Sequence, residues 1–398
     1  MTDWRAEMKQ IPFFAEANAA LKAALTEQEA ARTYRRYVVE ARKRGVRPLH
    51  GAERVTALRL RLHERASRLG WPKPKGGLHI FLGYASWNWE AVLPEALSPF
   101  GEVASFEWRS HGFAEERSDW LDHRDDMNAM MLASFRTANR RRPVDVVVGY
   151  FSGLTVSPET IREMTATGAI VCNFCFDDKL HFPGAIIGGR YSTTAAIAEA
   201  VDLNLTSDPE AISRYAVHGG LAMFHPEAAS PRLHFPHDIP FVHDVSFIGA
   251  RYGWRPRFIE RLKALGIDVA CYGQGWPNGA VTNEAMAEIY SKSRINLGFG
   301  GIGHSRKLVN LKGRDFETPM SGGLYLTQHN PELALVYDIG REILTYRNEA
   351  DCAKIIRALL ADPEHAAAIR ARGHQRALRD HTYEARWTNA LKALGALA

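Results

Sequence analysis

The sequence predicts two α/β domains behind a helical N-terminal extension, and three observations carry that prediction. The chain has 398 residues, more than one typical α/β domain requires. From Leu78 onward, apolar runs of strand length alternate with helical segments, the pattern of parallel sheets covered on both faces. The alternation breaks once, in the Pro- and His-rich stretch 231–240, and then restarts. The expected boundaries are 1–70 for the extension, 71–240 and 241–375 for the two domains, and 376–398 for a terminal helix.

Each element has its own warrant. Residues 1–70 are rich in Ala, Arg, Glu and Leu, which favours helices over strands. Gly45, after Arg42-Lys43-Arg44, is a helix stop. Residues 71–77, WPKPKGG, have linker composition. Strands are predicted at 78–83, 103–108, 144–150, 169–176 and 201–205. A helix over 126–139 brings Met127, Met130 and Met131 as core filler. Ser157 caps a helix with Pro158 in its first position and Gly168 at its end. Asp208-Pro209 opens another that closes near Gly219 and Gly220. In the second domain, strands are predicted at 245–249, 267–272, 295–299 and 324–327. Helices are predicted at 256–265, at 315–321, at 349–360, from an Asn283 cap to Lys292, and from Asp362-Pro363 to a stop at Gly373. A last amphipathic helix carries Tyr383, Trp387 and Leu391.

Composition narrows the function classes. With 50 basic and 45 acidic residues the formal charge is only +5. A substrate bearing phosphates accounts for that excess as well as nucleic acid does, and no nucleic-acid module accompanies it. Cys172, Cys175, Cys271 and Cys352 are too scattered for a disulfide scaffold, and the C-x-x-C spacing lies within a strand-like run, so buried free thiols are expected. No apolar run approaches the roughly 20 residues that span a bilayer. A cytoplasmic location is expected. Arg42, Lys43 and Arg44 read as solvated helix surface, with peripheral contact to a membrane or acidic carrier as the alternative.

The chemistry concentrates in 307–323, KLVNLKGRDFETPMSGG. It follows a predicted strand and a glycine-rich run from Gly298 to Gly303. His304, Arg306, Lys307, Lys312 and Arg314 offer donors and charge suited to a diphosphate. Glu317, an acceptor-only carboxylate when ionised, suits the vicinal hydroxyls of a ribose, and Gly322 and Gly323 would let a ligand come close. Gly249 and Gly273 follow predicted strands, where glycine lets backbone approach a phosphate. Neither opens a G-x-G-x-x-G, and the phosphate-loop lysine motif is absent. The pattern points to a nucleotide-sugar pocket. In the first domain, Asp177 and Asp178 end a strand, where open parallel sheets bind ligands, and His181 is a candidate general base. Glu90 follows Trp87 and Trp89, an acid or base beside rings able to stack on a sugar. Two carboxylates are too few for a metal site. His225, His234, His237 and His243 are irregularly spaced, so no metal is expected.

With these residues in view, Lys312-Gly-Arg314-Asp-Phe316-Glu317-Thr-Pro-Met-Ser-Gly322-Gly323, with 349–360 and 362–373 downstream, resembles the spore-maturation CgeB-like glycosyltransferases of the two-Rossmann-domain (GT-B) group. The resemblance extends over residues 245–390. It implies two Rossmann-like α/β/α domains facing across a cleft. It implies a UDP-, GDP- or TDP-sugar donor held by the C-terminal domain, a glycan or other hydroxylated acceptor held by the N-terminal domain, and no tightly bound cofactor or metal. It places Glu317 at the nucleotide ribose, and it implies that the final helix, 376–398, crosses back onto the N-terminal domain. Retaining members usually carry a further glutamate eight positions earlier, where this chain has Val309, so the usual donor-hexose contact is not implied. The implied activity is hexosyl transfer. If the reaction inverts, Asp178, Asp177, His181 or Glu90 is the expected base. A nucleotide-sugar epimerase or hydrolase, and a non-catalytic binding or scaffold protein, are the competing expectations.

Overall fold

The computed structural model describes residues 12–87 and 89–398, and leaves out the side chains of residues 12–17, Trp89 and His181. Two helices lead the chain, α1 (Pro12–Arg44) and α2 (Gly51–Arg68). α1 stops at Gly45, which takes a left-handed conformation as a helix-ending glycine does. The rest divides into two compact units. One joins residues 34–226 to 384–398; the other joins residues 12–33 to 227–383.

The first unit holds six parallel strands in the order β2-β1-β3-β4-β7-β8. These are β1 (Leu78–Tyr84), β2 (Gly101–Glu107), β3 (Val146–Gly149), β4 (Ile170–Cys175), β7 (Leu203–Thr206) and β8 (Ala222–Phe224), with an antiparallel hairpin β5 (Ile186–Ile187) and β6 (Arg190–Tyr191) between β4 and β7. Every residue of β1 and β3 is buried, as in strands covered on both faces. Five helices join them: α3 (Leu93–Leu97), α4 (Trp120–Arg141), α5 (Pro158–Ala166), α6 (Asp178–His181) and α7 (Ala211–Val217). Met127 and Met131 of α4 enter the core with Phe81, Phe135 and Phe151; Met130 is exposed. Ser157 caps α5 by accepting the Thr160 N–H at 3.0 Å.

Residues 71–77, linker-like in composition, are pinned. Buried Asp145 accepts from Trp71 Nε1 (3.0 Å), Lys73 Nζ (2.6 Å) and the His79 N–H (2.7 Å). α2 is tied to the same sheet by Arg65, whose guanidinium reaches both carboxylate oxygens of buried Asp202 at 2.8 and 2.5 Å. The second half of the extension is therefore part of this unit. At the other terminus Trp387, on α13 (Tyr383–Leu394), packs edge-on against Phe174 at 5.7 Å.

The second unit holds five parallel strands in the order β10-β9-β11-β12-β13: β9 (His243–Ile248), β10 (Ala270–Tyr272), β11 (Ser293–Leu297), β12 (Tyr325–Gln328) and β13 (Leu344–Tyr346). Its helices are α8 (Arg255–Ala264), α9 (Asn283–Ser291), α10 (Arg314–Met320), α11 (Glu349–Ala361) and α12 (Pro363–Asp380). Two expectations are corrected. Thr282, not Asn283, caps α9, accepting the Ala285 N–H at 3.3 Å. Gly373 does not end α12 but lies within it, where a Cβ would sit 2.5 Å from the Glu342 carbonyl oxygen; glycine there permits close packing rather than a stop. β8 and β13 went unpredicted because three residues are too few for a period.

Candidate functional site

In the second unit the C-terminal ends of three adjacent strands converge. Gly249 follows β9, Gly273 follows β10 and Phe299 lies just beyond β11. The Gly249 N–H donates to the Tyr272 carbonyl at 2.9 Å, and Trp276 Nε1 donates to the Gly249 carbonyl at 2.8 Å. Arg314, the first residue of α10, lies across these ends. Its Nε donates to the Ile248 carbonyl (3.2 Å) and its Nη1 to that of Phe299 (3.3 Å). Gly249 has φ of 151°, and a Cβ there would meet Arg314 Nη2 at 2.8 Å, so glycine makes room for the guanidinium.

A second arginine, unforeseen from the sequence, joins it. Arg255, the first residue of α8, is buried. Its Nη1 donates to the Ala250 carbonyl and its Nη2 to the Tyr252 hydroxyl, both at 3.0 Å. Among the described residues neither guanidinium has a carboxylate ion-pair partner. Burial and the neighbouring Arg314 charge depress the Arg255 pKa to about 10. A signal existed: α8 has no acidic residue in its first turn and an arginine at its start, the reverse of what the helix dipole favours. Arg314 is half-buried and has Asp315 and Glu317 near it, but Arg255 is buried beside a like charge, which is costly, and a bound anion would offset that cost.

Glu317 lies one turn along α10 from Arg314. Burial pushes its carboxyl up to about 7, while Arg314 draws it down. A Cβ on Gly313 would lie 2.9 Å from both Glu317 Oε1 and Glu227 Oε2, so two carboxylates flank that glycine; Glu227 was not anticipated. Asp315, also missed, is buried. It accepts from the Lys312 N–H at 2.8 Å and from the Tyr325 hydroxyl at 2.5 Å, which fixes the start of α10.

The other basic residues separate. Arg306 pairs with Glu349 at 3.1 Å and lies over the Trp254 ring at 4.6 Å. Lys307 is 84 % exposed and faces Glu27 of α1 at 3.4 Å. Lys312 contributes its backbone N–H to Asp315. His304 stays close to the strand ends, because a Cβ on Gly253 would lie 2.3 Å from the Gly303 carbonyl oxygen; His304 Nδ1 is buried without a partner. Gly322 and Gly323 correct an expectation. The space they leave is taken by the chain itself, Pro236 beside Gly322 and Asn296 and Thr318 beside Gly323, so they pack the end of α10 rather than admit a ligand. Gly273 likewise faces Gly249, whose carbonyl oxygen would be 2.5 Å from a Cβ.

In the first unit Asp178 is fully buried. It accepts from the Thr194 hydroxyl (2.8 Å) and the Tyr215 hydroxyl (2.9 Å), and burial pushes its carboxyl up to about 6. Asp177 is exposed at the start of α6. Both line a cavity of about 230 Å³. Glu90 is buried and accepts the Trp87 N–H at 3.1 Å. The His181 side chain lies outside the described residues.

The histidines and cysteines take structural places. Burial depresses His225 to about 3 and His234 to about 4. Among the described residues no three His, Cys, Asp or Glu side chains converge as metal ligands would. All four cysteines are free, and burial raises the Cys172 and Cys175 thiols.

With this geometry in place, known proteins can be compared. Residues 255–392 match the family model described as glycosyl transferase-like. Sucrose-phosphate synthase from Thermosynechococcus elongatus superposes with a TM-score of 0.56 at 12 % identity, covering 79 % of this chain and 98 % of its own. Anabaena HepE in complex with UDP-glucose gives 0.55 at 11 %, covering 80 % and 100 %. An alpha-glucosyltransferase in complex with UDP and a 13-mer DNA gives 0.54 at 11 %, covering 80 % and 100 %. A search of curated protein sequences found no match. The family match falls in the C-terminal region, and the two Rossmann-like sheets have the two-domain (GT-B) architecture of these glycosyltransferase structures.

Proposed function

We propose that the protein transfers a hexose from a nucleotide-diphosphate sugar to a hydroxylated acceptor, with the donor held at the strand ends of the second unit. The observation that carries this reading is the pair of Arg255, buried, and Arg314, half-buried, which meet at the end of β9 with no ion-paired carboxylate among the described residues. A diphosphate is the anion such a pair suits, through charge-assisted hydrogen bonds. The α8 N-terminus adds its dipole to the same region. Glu317 is the group for the ribose hydroxyls. It lies one turn from Arg314, so one short helix would address both the charged and the hydroxylated part of a nucleotide.

Chemically, the arginines stabilise the charge that develops on the departing nucleoside diphosphate as the glycosidic bond breaks. An acceptor hydroxyl attacks the anomeric carbon and loses its proton. Asp178 is better suited to positioning than to acting as base, since two hydroxyls already donate to it. UDP is the first nucleotide to try, because the Anabaena neighbour was solved with UDP-glucose. We also place the chain in the CgeB-like branch, acting in the cytoplasm, without metal, on a glycan or similar acceptor. No described helix is long and apolar enough to cross a membrane. No finding favours donor-only conversion or a non-catalytic role. Calorimetry of the full chain against UDP, GDP, TDP and ADP should show one preferred nucleotide; failure of all four to bind folded protein would overturn the reading.

A further inference from the structure

The glycine-rich segment after β11 folds into a hairpin that adjoins both arginines of the second unit. Its arms pair: the Ile302 N–H donates to the Leu308 carbonyl at 2.9 Å, and the Asn310 N–H to that of Gly300 at 3.0 Å. At its base the Phe299 carbonyl accepts from Arg314 Nη1 at 3.3 Å, and shortly beyond Asn310 the chain reaches Arg314 itself. The hairpin also packs on the turn that leads into Arg255. A Cβ on Gly301 would lie 2.7 Å from Trp254 Nε1, and one on Gly253 would lie 2.3 Å from the Gly303 carbonyl oxygen. A hairpin in this position constrains both guanidiniums.

Ser305 holds the tip. It is fully buried, and its Oγ accepts the Lys307 N–H at 3.1 Å and the Leu308 N–H at 3.0 Å. A hydroxyl has two acceptor lone pairs and one proton, so these bonds leave the proton to be placed. It goes to Glu27 Oε1 at 2.7 Å. Glu27 lies in the part of α1, residues 12–33, that belongs to this unit. An ionised carboxylate can only accept, so it keeps the hydroxyl turned with both lone pairs toward the tip amides. Lys307 Nζ faces the other carboxylate oxygen at 3.4 Å but is exposed, and such ion pairs contribute little. Gln328 tethers the sides of the hairpin, accepting the Gly301 N–H at 2.8 Å and donating to the Arg306 carbonyl at 2.6 Å. The tip is left to Glu27.

We propose that Glu27, on the N-terminal helix, is a positioning residue for nucleotide binding: by orienting the Ser305 hydroxyl it fixes the 300–310 hairpin against which Arg255 and Arg314 are set. The proposal rests on the donor reading above and adds to it a role for the N-terminal extension. Glu27 touches no substrate; it acts through Ser305 and the hairpin.

The test uses the full chain, calorimetry with whichever of UDP, GDP, TDP and ADP the unmodified protein prefers, and hydrogen exchange without nucleotide. Glu27→Ala, a favourable helix substitution, should weaken nucleotide binding about fivefold, the effect of losing one net hydrogen bond. Glu27→Gln still offers an acceptor oxygen and should restore most of that loss. Without nucleotide, the amides of Lys307 and Leu308 should exchange faster in Glu27→Ala and not in Glu27→Gln. Ser305→Ala should weaken binding at least as much as Glu27→Ala, and adding Glu27→Ala to it should cost less than a further twofold, because the two residues act as one unit. Three results would each overturn the proposal: unchanged affinity in Glu27→Ala whatever its melting temperature, an equal loss in Glu27→Gln, or fully additive losses in the double variant. Nucleotide binding untouched by Glu27→Ala sinks this inference alone, whereas no nucleotide binding by the unmodified chain sinks the donor reading and this inference with it.

Discussion

Both units are parallel sheets whose strand ends carry the chemistry, yet those ends differ in sign. The second unit gathers two guanidiniums, Arg255 buried and Arg314 half-buried, that bond to carbonyls and a hydroxyl but to no carboxylate among the described residues. The first unit lines a small aromatic cavity with Glu115, Asp177 and Asp178, and among the described residues no cation lines it. The shared architecture explains where a ligand can sit; the buried charge decides which ligand.

The comparison breaks most readily at the arginines. Arg314→Ala and Arg255→Ala should each weaken nucleotide binding about 10- to 100-fold, the range for losing a charge-assisted hydrogen bond in a buried site. Thermal melts should show folded protein. Because Arg255→Ala removes a buried charge held beside a like charge, its melting temperature without ligand should fall less than its affinity suggests. An unchanged affinity would remove the anion role.

Glu317 gives a smaller and more discriminating effect. Glu317→Ala should weaken UDP about tenfold but leave 2′,3′-dideoxy-UDP unaffected, because only the hydroxyls are read there. Equal loss for both nucleotides would reject the ribose role. The same residue predicts a pH dependence. Its carboxyl is raised from an ordinary 4.5 to about 7 by burial, so the fold favours its neutral form. The associated stability is fully present below about pH 4.5 and is lost as the pH rises through 7. Without nucleotide, Glu317→Gln should therefore match the unmodified protein at pH 4.5 and exceed it at pH 8, by about 1–2 kcal/mol. Denaturation at both pH values checks this.

Lys307 should show the least. It is 84 % exposed and paired with Glu27, and such pairs contribute about 0–1 kcal/mol. Lys307→Ala should change nucleotide affinity less than twofold by calorimetry. A tenfold loss would mean that the basic loop, rather than the strand ends, holds the phosphates.

The sequence made the sheets legible because their strands are long apolar runs between turn signals, as in VDVVVGY and LHIFLGY. It made Arg314 and Glu317 legible because glycine, charge and an acid coincide after a strand. Arg255 was hidden by its place at a helix start that looked ordinary, although its position against the dipole was a readable sign. Glu115 was hidden more deeply. Nothing local distinguishes Glu115 from Glu116, yet the fold buries one against Trp108 and leaves the other exposed with Arg109. The Gly322-Gly323 pair misled for the opposite reason: the local pattern reports that something comes close, not whether it is ligand or chain.

The most direct test of the division between units is hydrogen exchange with and without saturating UDP. Protection is predicted at 248–256, 299–305 and 313–318, with none at 150–155 or 192–194. Protection confined to the first unit's cavity residues, with the second unit's strand ends unchanged, would contradict it.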